Sequence, residues 1–488
     1  MRMSAADLLP LIFVVPVASA ALLAVFGHAR PRLSWAVTLA VALTTTAAAS
    51  VLCAVVAGGG EVRYAVGGWG APLGIELRFD RLSAVTALFG AVTVLVVVFS
   101  RTLLPRSGPR ASLFFALVLV NLGGLNGFAV AGDLFNLFVF MELLSVSAYA
   151  LVAAGRARGA ALAALKYLLP GAVSSLLVLF AVGLAFALTG SLNMADVSAR
   201  LPGAAPPAVA LALAAFAVGF MIKAALFPLH FWLPDAHGSA PGPVSALLSA
   251  LVVKAGIIGL VRVAAVFGDA AQPGLNAALM LLGAVAIVFG GVAALVQREI
   301  KRVLAYSTIS NIGYIALGLG TASATAVAGG LAHVFYHGVT KAGVFLAAAA
   351  LVERTGLHTI DDLRGVGHRM PWAATALCAG MIALAGVPPT AAFVGKWQIA
   401  LGAMEAGRPA LVAVVLAGAL LALGYGIRII NALFFRAPTH ERVLAASEAP
   451  PSMILPLVVA IGVALSAGLS GAAMIEFLRP LAEVRGGR

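Results

Sequence analysis

Five of the six lysines in this sequence fall inside long apolar stretches: Lys166, Lys223, Lys254, Lys341 and Lys396. Arginine occupies nearly all the polar connections instead. An ionisable group at the centre of a membrane helix costs about 2.5–3.5 kcal/mol on insertion scales, so each of these amines needs a partner, water or a task. Lysine changes its protonation readily when buried, whereas arginine stays charged. A row of buried amines therefore suits a path that loads and releases protons. Near a span end the same side chain can simply reach the headgroups, and that reading stays open for Lys166 and for Arg428.

Glu142 is the acidic counterpart, in the apolar run that starts at Asn136. Ser145 and Tyr149 follow at i+3 and i+7 and share its helix face. A carboxylate there must meet a cation or take up a proton. Asp133 sits at the start of the same helix, where capping the first turn explains it. His333, His337 and Lys341 are spaced i, i+4, i+8, a stripe that turns only about 80° around a helix. Neutral imidazoles relay protons well. Helix–helix hydrogen bonding is the plainer alternative, and a zinc site lacks a third ligand nearby. Ser307, Ser310 and Tyr314 mark a weaker polar face that fits hydration or packing equally.

The elements that hold these groups follow from composition. The chain has 488 residues, is 62% hydrophobic and only 10% charged, against about 25% charged in soluble domains. Mean hydropathy is +1.07. These values exclude a soluble enzyme, a disordered chain and a disulfide scaffold. The formal charge of +13 comes with no soluble region to bind nucleic acid, so its explanation lies at a membrane. Cys53 and Cys378 lie in apolar runs and read as small buried hydrophobes. About 20 apolar residues make a span, and the sequence offers about fourteen, from 7–27 to 453–480. The predicted fold is an all-α polytopic membrane protein, one transmembrane domain over 1–488. Arg2, an apolar run and Ala18-Ser19-Ala20 have the pattern of a secretory leader. The chain starts at Met1, so this segment is expected to stay as the first helix. Connections after odd-numbered spans, such as those with Arg30, Arg106, Arg156, Arg158, Lys301 and Arg364, carry 15 basic residues against 10 on the other side. The richer side should be cytoplasmic, which puts both termini outside.

Two spans contain helix breakers. The seventh, 207–232, carries Pro228, with Pro234 just beyond it; the twelfth, 371–404, carries Pro388 and Pro389. Proline removes a donor and obstructs the preceding turn, and in lipid the freed carbonyls need other partners. Paired interruptions five spans apart fit two inverted-topology five-helix repeats, 111–266 and 273–433, each with a broken helix.

The stretches Gly132-Asp133 to Glu142, Lys223 through Pro228, His230, Trp232, Pro234 and Asp235 to His237, and His337 to Lys341 resemble the antiporter-like membrane subunits shared by respiratory complex I, membrane-bound hydrogenases and Mrp cation/proton antiporters. The resemblance runs over nearly the whole chain and is greatest to the D-type component of the Mrp antiporters. Lys396, where one complex I paralogue has glutamate, argues against that paralogue. The resemblance implies Glu142 and Lys223 as a coupling ion pair and Lys254 as a central relay. His333, His337 and Lys341 become a lateral relay and Lys396 the terminal proton-loading group. It further implies a multi-pass subunit of the bacterial cytoplasmic membrane working among other membrane subunits of an Na+/H+ antiporter. Lysine and histidine repel sodium unless neutral, so sodium is expected to move elsewhere in the complex. The alternative is the pumping subunit of a redox complex, with NADH–quinone or hydrogenase chemistry. The sequence has no cysteine set for iron–sulfur clusters and no dinucleotide fingerprint, so neither cofactor nor metal is expected here. A purely structural subunit is the remaining reading.

Overall fold

Apolar runs of membrane-crossing length fold as helices because, in hydrocarbon, a helix satisfies every backbone amide and carbonyl within its own segment. The computed structural model describes residues 4–27, 30–103, 110–155, 159–268 and 272–486. Arg2, Arg106, Arg156, Arg158 and Arg488, all counted in the charge asymmetry, lie outside the described residues. In chain order the spans are α1 (Leu8–Phe26), α2 (Pro31–Ala57), α3 (Arg81–Ser100), α4 (Arg110–Val130), α5 (Leu134–Ala153), α6 (Ala160–Thr189) and α7 (Pro206–Lys223). A short α8 (Trp232–Ser239) follows. Then come α9 (Gly242–Phe267), α10 (Pro273–Val296), α11 (Ile300–Gly320), α12 (Ala324–Thr355) and α13 (Pro371–Ala385). The chain closes with α14 (Ala391–Glu405), α15 (Pro409–Phe435), α16 (Pro451–Ser466) and α17 (Gly471–Glu483).

The chain is therefore a polytopic helical membrane protein, although the exact count of about fourteen spans is not reached. Among the described residues, twelve helices are long and apolar enough to cross a membrane, or thirteen if α16 and α17, bent by 79°, count as one. Of the two spans missing from the twelve, the bent pair α16–α17 accounts for one and the stretch 371–404 for the other. Its breakers split it into α13 and α14, each 15 residues, and each too short to cross alone. The seventh span likewise stops at Lys223 instead of running on to 232. Pro228 lies in that gap, whereas Pro234 sits in the first turn of α8, where a missing amide costs nothing.

Among the described residues, one hairpin stands apart from the helices. β1 (Val62–Ala65) and β2 (Glu76–Phe79) form an antiparallel hairpin with Val62 opposite Phe79 and Arg63 opposite Arg78. Val62-Arg63-Tyr64 and Leu77-Arg78-Phe79 alternate apolar and polar with period two, over runs too short for a span count to register. The hairpin's Val62, Leu77 and Phe79 pack with Leu9 and Ile12 of α1, so the chain begins on the hairpin side of the membrane. Asp133, which caps α5, pairs as an isolated bridge with Asn193 on that same side, beyond the end of α6.

Burial is graded. α1, α2 and α15 expose most of their surface, while α9, α11 and α12 are almost wholly enclosed. Those three enclosed helices carry Lys254, the hydroxyls of α11, and His333, His337 and Lys341. Polar residues thus concentrate where the helices are shielded from lipid, the arrangement that intramembrane charge requires.

Candidate functional site

Lys223 is the last residue of α7. Beyond it Ala225 adopts a positive φ of 52° and the Phe227–Pro228 peptide is cis before the chain re-enters helix at Trp232. A helix that stops inside a bundle leaves carbonyls without partners. The Trp232 indole meets one, donating from Nε1 to the Ile222 carbonyl at 3.0 Å. The negative end of α7 also favours a cation at its last residue.

From there Lys223 Nζ donates to Ser145 Oγ at 2.7 Å, Tyr149 Oη at 3.1 Å and Ser175 Oγ at 3.4 Å. Glu142 Oε1 is 3.7 Å away, and Ser175 Oγ donates to that same oxygen. The face shared by Glu142, Ser145 and Tyr149 therefore converges on Lys223, with Ser175 of α6 bridging acid and amine. The two ends are unequal: the lysine side chain is 4% exposed, the glutamate 32%.

α9 lies directly against this break. A Cβ on Gly256 would stand 2.4 Å from the Ala224 backbone nitrogen, so the approach depends on glycine. Just before Lys254, residues Leu248–Val252 form a π-helical turn. Ser249 lies in this wide turn, and Lys254 Nζ donates to its carbonyl. The Ser249 hydroxyl in turn lies 2.9 Å from Thr308 Oγ1 on α11.

α11 touches three of the remaining groups. Lys341 Nζ donates to Ser307 Oγ and to the Leu304 carbonyl, the latter at 2.7 Å. His333 Nε2 is 3.0 Å from Asn311 Oδ1. Lys396 Nζ stands 4.3 Å above the Tyr314 ring centre. Ser307, Thr308, Asn311 and Tyr314 thus form a polar spine at i, i+1, i+4 and i+7 that meets two lysines, a histidine and the Ser249 partner of a third lysine. Ser310 turns away and donates to Ile287 of α10 at 2.9 Å, so its role is packing.

Lys396 also donates to the Leu384 and Ala385 carbonyls at 2.8 and 3.2 Å. These end α13, whose C-cap Gly386 is left-handed at φ 84°. Lys223 precedes its break and ends one half-helix, whereas Lys396 follows its own and reaches back to the carbonyl end of the other. Pro388 and Pro389 occupy the gap, joined by a cis peptide.

His337 is fully buried and stacks on His333 with ring centres 5.8 Å apart. Neither of its ring nitrogens has a hydrogen-bond partner among the described residues, and the same holds for His237 of α8. His237 stacks on Phe345 at 4.5 Å, with Lys341, Lys301 and Lys254 as its charged neighbours. Lys301 is 8% exposed and donates to the Ala240 carbonyl at 2.7 Å. Sequence reasoning thus misses four residues: His237, Lys301, Thr308 and Asn311. It places Lys301 in a loop, although lysine's near-absence from loops already points the other way.

Other candidates stand apart. Lys166 is 52% exposed and pairs with Asp235 at 2.8 Å, a surface contact worth about 0–1 kcal/mol. Arg428 donates to the Leu295 and Gln297 carbonyls at the end of α10. Asp133 accepts from the Asn136 amide at 2.7 Å and caps α5. Cys378 is buried and Cys53 partly so, and both are free thiols.

The site can hold protons on several amines, each anchored by hydroxyls or freed carbonyls. The imidazoles between them have open nitrogens that accept or donate according to tautomer. Opposite charges at the Glu142 end supply an electrostatic lever on the first amine.

The family described as NADH:quinone oxidoreductase/Mrp antiporter, TM, matches residues 131–422. NADH-quinone oxidoreductase subunit N of Desulforudis audaxviator is 38% identical over 450 residues, covering 87% of this chain and 88% of that protein. The D component of the Na(+)/H(+) antiporter of Alkalihalophilus pseudofirmus is 30% identical over 420 residues, 86% and 85% of the two chains. Among solved structures, a chain of the Mrp complex from Dietzia sp. DQ12-45-1b superposes with a TM-score of 0.90 at 26% identity, covering 99% of this chain and 98% of that one.

Proposed function

The chain belongs to the NADH:quinone oxidoreductase/Mrp antiporter transmembrane family, and from that premise we propose that it moves protons through Glu142, Lys223, Lys254, His333, His337, Lys341 and Lys396. The observation that carries this reading is the polar spine of α11, which touches Lys341, Lys396 and His333 directly and reaches Lys254 through Ser249. A structural subunit would have no use for so many desolvated amines, each costly to bury.

In the proposed cycle, separating Glu142 from Lys223 lowers the amine's hold on its proton. The released proton passes to Lys254 and on through the α11 hydroxyls and the two histidines to Lys341 and Lys396. Return of Glu142 reloads Lys223. The break after Ala385 brings two backbone carbonyls to the Lys396 amine, and the two breaks suit two inverted five-helix units, 111–266 and 273–433. Glu142 also gives the reading a partner. Its carboxylate is one-third exposed on an outer face with Phe135, Val139 and Val146, where lipid would be a poor neighbour and another membrane subunit a good one. Following the basic-residue asymmetry, we take the hairpin side as the outside of a bacterial cytoplasmic membrane, with both termini there.

The larger complex has two readings. The 0.90 superposition on a chain of the Dietzia Mrp complex favours a multisubunit Na+/H+ antiporter, with this chain carrying protons and sodium moving elsewhere in the complex. The 38% identity to an NADH-quinone oxidoreductase subunit favours a redox-driven pump, and it is the higher of the two sequence identities. Isolation of the complex in mild detergent, with mass spectrometry and assays for iron and flavin, separates them. Small hydrophobic companions without iron or flavin mean the antiporter; iron–sulfur or flavin subunits mean the redox pump.

A further inference from the structure

Eight residues beyond Lys254 on the same helix lies Arg262. That offset is about 12 Å along the axis and about 80° around it, toward the hairpin side. The residues between include Ile257, Ile258 and Val261, all buried, so the helix offers no polar step from the central amine outward until Arg262. Arg262 is itself 6% exposed and grips Asp80 with both Nη atoms, at 2.6 and 3.1 Å. The second Nη also donates to Ser83 Oγ at 2.7 Å and to the Ala129 carbonyl at 2.8 Å. Its Nε is buried and without a partner among the described residues. One donor of this side chain is therefore held in reserve for an acceptor that the present geometry does not bring.

Asp80 directly follows the last residue of β2 and caps α3, accepting from the Ser83 amide at 2.8 Å. From it a line of charge runs into the hairpin. Arg78 Nε is 3.7 Å from Asp80, and Arg78 Nη2 is 2.8 Å from Glu61. Glu61 also pairs with Arg63 at 2.5 Å, and Arg63 with Glu76 at 3.3 Å. Arg63 and Arg78 are directly opposed across the hairpin, which two like charges resist unless Glu61 stands between them. The carboxylate that keeps the hairpin in register thus also holds the arginine next to Asp80.

We propose that the Asp80–Arg262 pair is a gate closing the way from Lys254 to water on the hairpin side, and that the β1–β2 hairpin is its latch. This rests on the proton-path reading above. A displacement of the hairpin must carry Asp80 with it, because no residue separates them. Arg262 then loses its bidentate partner, swings its free donor toward water, and opens the dry segment below Lys254.

The test uses the whole complex reconstituted in liposomes with an enclosed pH dye and an imposed potassium diffusion potential, reading passive proton leak. Asp80→Asn keeps the size and one capping oxygen but removes the charge; several-fold faster leak is expected. Arg262→Lys keeps the charge without the fork and should leak less than Asp80→Asn but more than the parent. Arg78→Gln, on the half-exposed latch, should also leak. Adding Lys254→Met to any leaking variant should return the leak to the parent level. Unchanged leak in assembled Asp80→Asn overturns the gate. Should that variant not assemble, unchanged leak in both Arg262→Lys and Arg78→Gln overturns it equally. A leak that survives Lys254→Met also overturns it, since the opening would not serve the path. Failure of the parent complex to move protons at all is a different result and counts against the function, not the gate.

Discussion

Glu142 and Lys223 face each other at 3.7 Å yet make their hydrogen bonds to a shared hydroxyl, Ser175, rather than to one another. A directly bonded pair in a low-dielectric site is hard to separate. A pair bridged by a rotatable hydroxyl keeps its attraction while each partner retains a bond as the other moves. That relationship makes the acid a lever on the amine rather than a permanent clamp.

Removing the bridge should therefore slow transport without abolishing it. Ser175→Ala leaves Lys223 with Ser145 and Tyr149 but strips Glu142 of its hydroxyl donor. A hydrogen bond to a charged group is worth about 1.5–3 kcal/mol, so we expect a fall of about tenfold or more in coupled proton flux, measured in inverted vesicles, with the complex still assembled. Flux at the parent rate would mean the hydroxyl has no part in the pair.

Tyr314 offers a finer discrimination. Its ring lies under Lys396, while its hydroxyl donates to the Val415 carbonyl at 2.8 Å. Tyr314→Phe keeps the aromatic face and should transport nearly as the parent does, at some cost in stability. Tyr314→Leu removes a cation–π contact worth about 2 kcal/mol when desolvated, and flux should fall by roughly tenfold more than in the phenylalanine variant. Equal flux in the two variants would detach the ring from the path.

Gly256 tests the packing that brings α9 to the break. An alanine there places a methyl 2.4 Å from a backbone nitrogen that cannot step aside alone. Overpacking of this kind costs about 1–3 kcal/mol. Gly256→Ala should lower the Tm of the detergent-solubilised complex by several degrees and reduce flux together with it. An unchanged Tm would contradict the close approach.

Acid alone should not open the Asp80–Arg262 pair. Burial pushes the Asp80 carboxyl up, but the Arg262 guanidinium, the Ser83 amide and Arg78 outweigh it and hold the group below the ordinary carboxylate value. A lowered carboxyl contributes stability that is complete above the unfolded value of about 3.9 and is lost only as pH falls through the lower folded value. Passive leak through the hairpin side should therefore stay flat from pH 7 to pH 5. A leak that rises across that window would mean the carboxyl is raised above its ordinary value, as burial without the guanidinium's charge would leave it.

Much of this is legible in the sequence because membranes make polarity conspicuous. Lys223, Lys254, Lys341, Lys396 and Glu142 stand out against apolar neighbours, and periodicity alone puts Ser145 and Tyr149 on the glutamate's face. Proline marks where α7 and α13 stop, but not how the chain resumes. That depends on which carbonyls are left and what reaches them, as Lys396 does from the far side of its break. Asn311 and Thr308 escape because short polar residues in a span read equally as packing, and only neighbours from other helices separate Asn311 from Ser310. Lys301 is misplaced for a related reason: its position at the start of α11 looks like a loop until α8 is folded over it. The hairpin escapes because its alternation covers so few residues.

The central claim is that the Lys223 amine, worked by Glu142, drives the proton path. The most direct measurement is coupled proton transport by the complex carrying Lys223→Ala, beside a native gel showing the subunit in place. The account predicts an assembled complex with coupled transport abolished. Full transport by that variant would remove the pair from the mechanism.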